Sequence, residues 1–205
     1  MSDRYRCGML FGAPGVGKGT QGQRLGEVAG FVHLATGDIF RGLDKESEPG
    51  RKFVEYSSRG ELVPDDLTVT VWRDHVQSLI DAGTYTPATD LLLLDGMPRS
   101  VNQAQMLDAL IEPLVILHLV AHDLDEMVNR MKLRAEKEGR HDDADETVIR
   151  RRFEVYQDET APVLEHYDAG LVRDINAVGK PARVLRDILS AVAPLHDDRF
   201  ENPLD

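Results

Sequence analysis

The sequence contains a single cysteine, Cys7, among its 205 residues. One cysteine excludes an internal disulfide and a cysteine-rich zinc site, so we expect a reducing, cytoplasmic location. Long apolar runs are missing too. The longest, residues 91–94 and 114–121, are far shorter than the roughly 20 residues of a membrane-spanning helix. We expect both runs to be buried parallel strands, and we expect that the short apolar run 7–13 is not a secretory signal.

Positive charge is scarce in this chain. Lysine and arginine total 24 against 36 aspartates and glutamates, which gives a net charge of −12. Such an acidic surface repels nucleic-acid backbones and anionic lipids, so we expect neither a nucleic acid nor a membrane as partner. Arginines outnumber lysines by 18 to 6, which genome composition or a function in anion binding explains equally well. A protein this acidic that handles phosphates must concentrate its cations locally.

No internal repeat, low-complexity tract or long linker interrupts the chain, so we expect one domain. Strands are predicted at residues 4–11, 31–34, 90–94, 114–120 and 171–175. Helices are predicted at residues 18–29, 38–43, 50–59, 65–82, 101–110 and 182–192, with a further helix capped by Asp123 and helical spacing over 143–167. Strands that alternate with helices predict a parallel sheet with helices on both faces. The polar tail after Pro194 is expected to be loose.

A glycine-rich loop follows the first predicted strand and opens the first helix. Residues 12–20 read Gly-Ala-Pro-Gly-Val-Gly-Lys-Gly-Thr, and a strand-to-helix junction is the setting of a phosphate-binding loop. The glycines let backbone N–H groups approach an anion, the helix N-terminus adds partial positive charge, and Lys18 can reach the β- and γ-phosphates. The generic motif has Ser or Thr directly after the lysine, whereas here Gly19 precedes Thr20. Four ordered glycines around a lysine argue against a plain turn.

A GTPase switch is the rival class of phosphate-loop protein. Such a switch needs Asp-x-x-Gly to sense the γ-phosphate and Asn-Lys-x-Asp to read guanine. None of the 17 glycines has an aspartate three residues before it, and the sequence has no Asn-Lys pair. We therefore set this class aside.

Five motifs occur in order along the chain. They are Gly-x-Pro-Gly-x-Gly-Lys-Gly-Thr at 12–20, Thr-Gly-Asp-Ile-Phe-Arg at 36–41, Gly-Glu-Leu-Val-Pro at 60–64, Asp-Gly-Met-Pro-Arg at 95–99 and Gly-Arg-His-Asp-Asp at 139–143. With these motifs the chain, from about residue 5 to about residue 189, resembles adenylate kinases and related nucleoside monophosphate kinases. Each later motif is weak alone, but five in order are very specific. The chain departs from the family at Met97, where phenylalanine is usual, and in the very short connection from Arg134 to Arg140.

The resemblance implies an α/β fold similar to P-loop NTPases, with a doubly wound parallel sheet of about five strands. The core would comprise residues 1–35, 83–131 and 146–205, with a helical acceptor-binding region at 36–82 and a short lid at 132–145. Closure of these two parts would exclude water before transfer. A monomer is expected.

The resemblance also implies a donor site for ATP. Lys18 is the first choice for a catalytic cation on the triphosphate, Arg134 would contact the phosphates, and Arg130 would stack on the adenine. Asp95 and the Thr20 hydroxyl would hold Mg²⁺, largely through water. The implied ATP-binding residues are Gly15, Val16, Gly17, Lys18, Gly19, Thr20, Arg130, Arg134 and Lys180.

An acceptor site for AMP is implied in the same way. Arg41 and Arg99 match the arginines that grip the acceptor phosphate, which suits the planar, bidentate guanidinium group. The implied AMP-binding residues are Thr36, Arg41, Glu61, Leu62, Val63, Gly96, Met97, Pro98, Arg99, Gln103, Arg140 and Arg151. The implied catalytic residues are Lys18, Arg99, Arg134, Arg140 and Arg151.

These assignments predict reversible transfer of the terminal phosphoryl group from ATP-Mg²⁺ to AMP, giving two ADP. A UMP/CMP-type kinase, or a non-catalytic nucleotide-binding protein, is the alternative. Thr36 and Gln103 favour AMP, because pyrimidine kinases tend to have Ala and Asn there and because Gln103 can pair with adenine through its carbonyl and amino groups. A one-residue shift to Asn102 would remove this argument. The short lid lacks the cysteines of zinc-containing relatives, so no zinc is expected, and the seven histidines are expected to be structural.

Overall fold

The centre of the protein is one parallel β-sheet, seen in a computed structural model that describes residues 4–139 and 145–204. The strands are β1 (Tyr5–Phe11), β2 (Phe31–Ala35), β3 (Leu91–Asp95), β4 (Ile111–Val120) and β5 (Val172–Asn176). They lie in the order β2-β3-β1-β4-β5, and every neighbouring pair is parallel. The predicted doubly wound α/β sheet of five strands is confirmed.

Helices cover both faces of this sheet. They are α1 (Lys18–Leu25), α2 (Thr36–Gly42), α3 (Glu48–Ser57), α4 (Asp65–Asp81), α5 (Val101–Leu107), α6 (Leu124–Glu138), α7 (Glu146–Val155) and α8 (Pro181–Arg199). Leu91 and Leu93 of β3 pack with α1, α6, α7 and α8, whereas Leu92 and Leu94 pack with α4 and α5 on the other face. Since both faces are buried, the strand reads as a continuous apolar run. None of the described helices is both long and apolar enough to cross a membrane.

The carboxyl ends of the strands meet at one edge of the sheet. There β1 leads into the glycine-rich loop, β2 leads directly into α2 at Thr36, and β3 ends at Asp95. The direction in which strands are added along the sheet reverses at β1, which lies between β3 and β4. Ligands of open α/β sheets bind in the crevice at such a switch point. The fold therefore places the loop, Thr36 and Asp95 around one crevice.

The segment with helical spacing over residues 143–167 is not one helix. After α7 ends at Val155, a π-helical turn (Tyr156–Thr160) and a 3₁₀ helix (Ala161–His166) continue the chain. Pro162 has no backbone N–H, so it cannot continue the hydrogen-bond pattern of α7. Apolar residues at the predicted helical spacing are nevertheless buried, namely Ile149, Phe153 and Val163.

The expectation of a loose tail after Pro194 is wrong. Helix α8 continues through Pro194 and carries the buried His196. The Nε2 atom of His196 lies 2.9 Å from the carbonyl oxygen of Thr89. The His196 ring also packs against Phe31 and Phe200, with a ring-centroid distance of 5.0 Å to each. A proline removes one hydrogen bond from a helix, and these long-range contacts offset that loss.

Candidate active site

Lys18 is the first residue of α1 and directly follows the glycine-rich loop. Within the loop, Gly15 has a φ of +76°, and a Cβ atom there would lie 2.6 Å from the Met127 carbonyl oxygen, so only glycine fits. Lys18 Nζ donates hydrogen bonds to the carbonyl oxygens of Gly12 at 2.6 Å and Ala13 at 3.1 Å. The ammonium group is therefore held over the loop whose amide groups would meet a phosphate.

Three charged side chains act on Lys18. Burial lowers the pKa of Lys18, the Asp95 carboxylate raises it, and Arg99 and Arg134 lower it again, which leaves this pKa at about 8. A lysine that holds its proton so weakly lies where positive charge is concentrated and water is scarce. An anion bound among these cations would relieve their mutual repulsion, and this makes the surroundings of Lys18 a candidate phosphate site.

Asp95 is the carboxylate of this cluster, at the end of β3. Burial raises the pKa of Asp95, but a hydrogen bond from His33 and the positive charges of Lys18 and Arg99 outweigh burial and hold this pKa below its usual value. A Cβ atom built at Gly19 would lie 3.6 Å from Asp95 Oδ2, so the first turn of α1 passes beside the carboxylate. An ionised carboxylate next to a phosphate loop is a ligand that Mg²⁺ prefers, so this residue fits a divalent cation.

The contact between His33 and Asp95 is the feature of this site that the sequence did not reveal. His33 lies on β2 with only 9% of its side chain exposed, and its Nε2 atom is 3.3 Å from Asp95 Oδ2. Glycines of the first helical segment leave it room: a Cβ atom at Gly22 would lie 2.3 Å from the His33 ring, and one at Gly26 would lie 2.9 Å from its Cβ. Two glycines four residues apart were the available signal, because glycine otherwise weakens a helix.

Arg99 lies on the loop between β3 and α5. Its Nε atom donates to the Gly96 carbonyl oxygen at 2.8 Å, and its backbone N–H donates to Gln103 Oε1 at 2.8 Å. The guanidinium group is exposed, yet it is close enough to Lys18 and Asp95 to affect the pKa of both. The structure thus brings together a first group of the predicted site residues, which are Lys18, Asp95, Arg99 and Arg134.

The predicted acceptor residues on α2 form a second group. Thr36 is buried, and its hydroxyl has no hydrogen-bond partner among the residues that the structure describes. Arg41 Nη2 donates to Asp38 Oδ1 at 2.8 Å. A Cβ atom at Gly37 would lie 2.9 Å from the same Nη2 atom, so the guanidinium group lies against the first turn of α2. This turn therefore offers a buried hydroxyl and a fixed cation.

The remaining acceptor residues come from two loops and from helices α5 and α7. Leu62 and Val63 are half-buried, and Glu61 accepts a hydrogen bond from Arg59 Nε at 2.8 Å. Arg151, on α7, lies against this loop: a Cβ atom at Gly60 would be 3.3 Å from the Arg151 Cβ. Arg151 is not among the charges that act on Lys18. Three further predicted residues are buried: Met97 and Pro98 in the loop after β3, and Gln103 in α5.

Two further predicted cations, Arg130 and Lys180, are not among the charges that act on Lys18, and a third lies outside the described residues. Arg130 pairs with Glu126, one turn earlier on α6. Lys180 is exposed and immediately precedes α8, whose first residue, Pro181, accepts a hydrogen bond from Gln21 of α1 at 3.1 Å. Arg140 lies outside the described residues.

Comparison with known proteins decides the family. A family model for adenylate kinase matches residues 10–171. An adenylate kinase of Kocuria rhizophila is 38% identical over 190 residues, which cover 90% of this chain and 97% of that protein. The chain belongs to the adenylate kinase family. An adenylate kinase of Thermus thermophilus is 37% identical (90% and 95% covered), and one of Synechococcus sp. is 39% identical (90% and 97% covered).

Membership of the adenylate kinase family confirms the resemblance found in the five motifs. It also confirms the P-loop fold and the enzyme class, because adenylate kinases are phosphotransferases that act on nucleoside monophosphates. The segment matched by the adenylate kinase model contains Lys18, Asp95, Arg99 and Arg134. Lys180 lies beyond that segment.

Proposed function

We propose that this enzyme transfers the terminal phosphoryl group of ATP-Mg²⁺ to AMP, reversibly, giving two ADP. The observation that carries the proposal is the convergence of Asp95, Arg99 and Arg134 on Lys18 at the carboxyl ends of the strands. Membership of the adenylate kinase family supports AMP as the acceptor over UMP or CMP. The charge cluster argues against a protein that only binds nucleotides, since cations fixed beside the phosphate loop can stabilise the charge of a transferring phosphoryl group.

The donor ATP would lie on the glycine-rich loop. Backbone N–H groups of residues 15–20, that is Gly15, Val16, Gly17, Lys18, Gly19 and Thr20, would face its phosphates. Lys18 and Arg134 would add full positive charges, and Arg130 would stack on the adenine ring. Lys180 would meet the adenine from the start of α8, which the hydrogen bond from Gln21 to Pro181 holds against α1.

The acceptor AMP would lie between α2, the Gly60 loop and the loop after β3. Arg41 and Arg99 would bind its phosphate through planar guanidinium groups. The buried Thr36 hydroxyl supports this position, because a buried polar group without a partner is costly and a ligand can satisfy it. The base and ribose would contact the remaining acceptor residues, which are Glu61, Leu62, Val63, Gly96, Met97, Pro98 and Gln103, while Arg140 and Arg151 would reach the phosphates on closure.

Phosphoryl transfer in this site needs placement and charge rather than a strong base. An ionised oxygen of the AMP phosphate attacks the γ-phosphorus of ATP, and the bond from that phosphorus to the β–γ bridging oxygen breaks, with its electron pair staying on the departing ADP. Lys18, Arg99 and Arg134 stabilise the charge that spreads over the transferred group. Mg²⁺ held by Asp95 and Thr20, largely through water, would neutralise charge on the β- and γ-phosphates.

We also propose how the parts of the chain move. The core (residues 1–35, 83–131 and 146–205) would stay rigid while the acceptor-binding region (36–82) and the short lid (132–145) close and exclude water. The enzyme would act as a cytoplasmic monomer whose partners are ATP, AMP and ADP. With a net charge of −12, it would bind neither nucleic acid nor membrane.

A coupled assay of the purified protein with ATP-Mg²⁺ and AMP, CMP, UMP or GMP tests the proposed function. AMP is expected to give the highest kcat/KM, removal of Mg²⁺ to abolish transfer, and chelation of zinc to change neither activity nor thermal stability. A higher kcat/KM for CMP or UMP would establish the pyrimidine alternative. Binding of ATP without transfer to any acceptor would establish a non-catalytic protein.

The pH dependence of the reaction provides a second test. The kcat/KM for ATP is expected to fall above about pH 8, by about tenfold per pH unit. The sign follows from the lowered pKa of Lys18: below it the side chain carries the positive charge that binds phosphate, and above it the amine is neutral. Bound phosphates favour the charged form, so kcat is expected to stay level to a higher pH. A kcat/KM for ATP that is constant from about pH 7 to about pH 9.5 would contradict this prediction.

A further inference from the structure

Asp65, the first residue of α4, binds three side chains that are distant in sequence. Its Oδ1 atom accepts a hydrogen bond from Gln103 Nε2 at 2.8 Å. Its Oδ2 atom accepts from Ser100 Oγ at 2.9 Å and from Asn102 Nδ2 at 2.8 Å. All three donors belong to the segment that follows Arg99, so one carboxylate joins the start of α4 to the start of α5.

The Gln103 amide is held at both ends. Its side chain is buried, with the residue 1% exposed. The oxygen accepts from the Arg99 backbone N–H at 2.8 Å while the nitrogen donates to Asp65. A reversed amide would place NH₂ against the Arg99 N–H and oxygen against the Asp65 carboxylate, so two buried hydrogen bonds would become two repulsions. Asp65 and Arg99 together therefore permit only one orientation of this amide.

A fixed orientation of the Gln103 amide can distinguish between the bases of two acceptors. A primary amide has two N–H groups and two oxygen lone pairs, so Gln103 keeps one donor and one acceptor for a ligand. A 6-amino purine offers an acceptor (N1) next to a donor (the amino group), whereas a 6-oxo purine offers a donor at N1 next to an acceptor oxygen. An amide that cannot reverse satisfies one of these two edges and opposes the other.

We propose that Asp65 is the positioning residue that makes the acceptor site select a 6-amino base over a 6-oxo base. Asp65 acts through Gln103 and does not touch the substrate. This inference rests on the proposed function, in which Gln103 meets the base of the acceptor. The position of Asp65 at the start of α4 also favours a carboxylate, because the helix N-terminus stabilises negative charge.

The test compares AMP with inosine monophosphate, which has the same ribose and phosphate but a 6-oxo base. In Asp65→Asn, residue 65 can present either oxygen or NH₂ to Gln103, so the reversed amide gains a partner. The ratio of kcat/KM for AMP to kcat/KM for inosine monophosphate is expected to fall by about tenfold or more, with the KM for ATP unchanged. The matched control is Asp66→Asn, which removes the same charge from the next residue of the same helix turn and should keep the wild-type ratio.

A purely structural role for Asp65 would lower kcat/KM for both acceptors by the same factor. An unchanged ratio in Asp65→Asn, with or without a general loss of activity, would overturn the inference. If Asp65→Asn does not fold, Asp65→Ser is read by the same criterion, since its short side chain leaves the Gln103 N–H without the carboxylate.

A parallel variant, Gln103→Leu, separates this inference from the proposed function. If Gln103→Leu leaves the KM for AMP unchanged, the base is read elsewhere and the proposed acceptor site fails. If Gln103→Leu raises the KM for AMP while Asp65→Asn keeps the acceptor ratio, the acceptor site stands and the role of Asp65 alone is wrong.

Discussion

Replacing Lys18 by methionine is expected to lower the turnover number by about 10²- to 10³-fold. Lys18 is held over the glycine-rich loop by the carbonyl oxygens of Gly12 and Ala13, in a position to meet a transferring phosphoryl group. A charge fixed in a water-poor site contributes strongly to a transition state, because no reorganisation is needed when the charge develops. Methionine keeps most of the length of the side chain but removes the ammonium group, and with it the charge and the hydrogen bonds to the loop carbonyls.

The variant should remain folded. In the folded protein, burial and neighbouring arginines lower the pKa of Lys18 to about 8, so its charge is disfavoured there and methionine removes that penalty. Lys52→Met is the matched control, because Lys52 is a half-buried lysine on α3 that pairs with Glu48 at 3.0 Å. Turnover by Lys18→Met within a few-fold of the control, measured by stopped-flow at saturating substrates, would remove Lys18 from the mechanism.

Replacing Arg134 by glutamine is expected to lower kcat/KM for ATP by about 10²-fold and to move the alkaline limb of its pH profile upwards. The first effect follows from the loss of a cation in the cluster around Lys18. The second follows from the sign of an interaction within the protein: the positive charge of Arg134 lowers the pKa of Lys18, so its removal lets Lys18 keep its proton to a higher pH.

The two effects of Arg134→Gln distinguish a direct role from general damage. A damaged enzyme would lose activity with the alkaline limb unmoved. Lys137→Gln is the control, because Lys137 is an exposed cation near the end of the same helix and is not among the groups that act on Lys18. An alkaline limb that moves downwards, or stays in place, would show that the two charges do not interact as described.

Much of the fold could be predicted from the sequence because its signals are local. The run at residues 91–94 is apolar at every position, which indicates a strand buried on both faces. In the structure this strand, β3, lies between β2 and β1. A glycine-rich loop between a strand and a helix predicts a phosphate loop for the same kind of reason. One local signal was misleading. Pro194 indicated the end of a helix and a loose tail, but α8 continues beyond it, where His196 packs against Phe200.

The candidate site was predictable in part. Asp95 follows a buried strand and Lys18 follows a glycine-rich loop, so the rule that ligands bind at the carboxyl ends of parallel strands is enough to place these two residues close together. The motif order then assigned the adenylate kinase family, which the comparisons confirm. Roles of individual arginines in binding ATP or AMP stay predictions, and Arg140 lies outside the described residues.

The sequence by itself determined the class of the sheet, the phosphate loop and the family, because each of these depends on residues that are neighbours in the chain or recur in a set order. Only the tertiary structure decided which side chains from distant segments touch. The contact of His33 with Asp95 spans 62 residues, and that of Asp65 with Gln103 spans 38. Such contacts depend on how helices and loops pack over the sheet, to within an ångström, and no local periodicity records that distance.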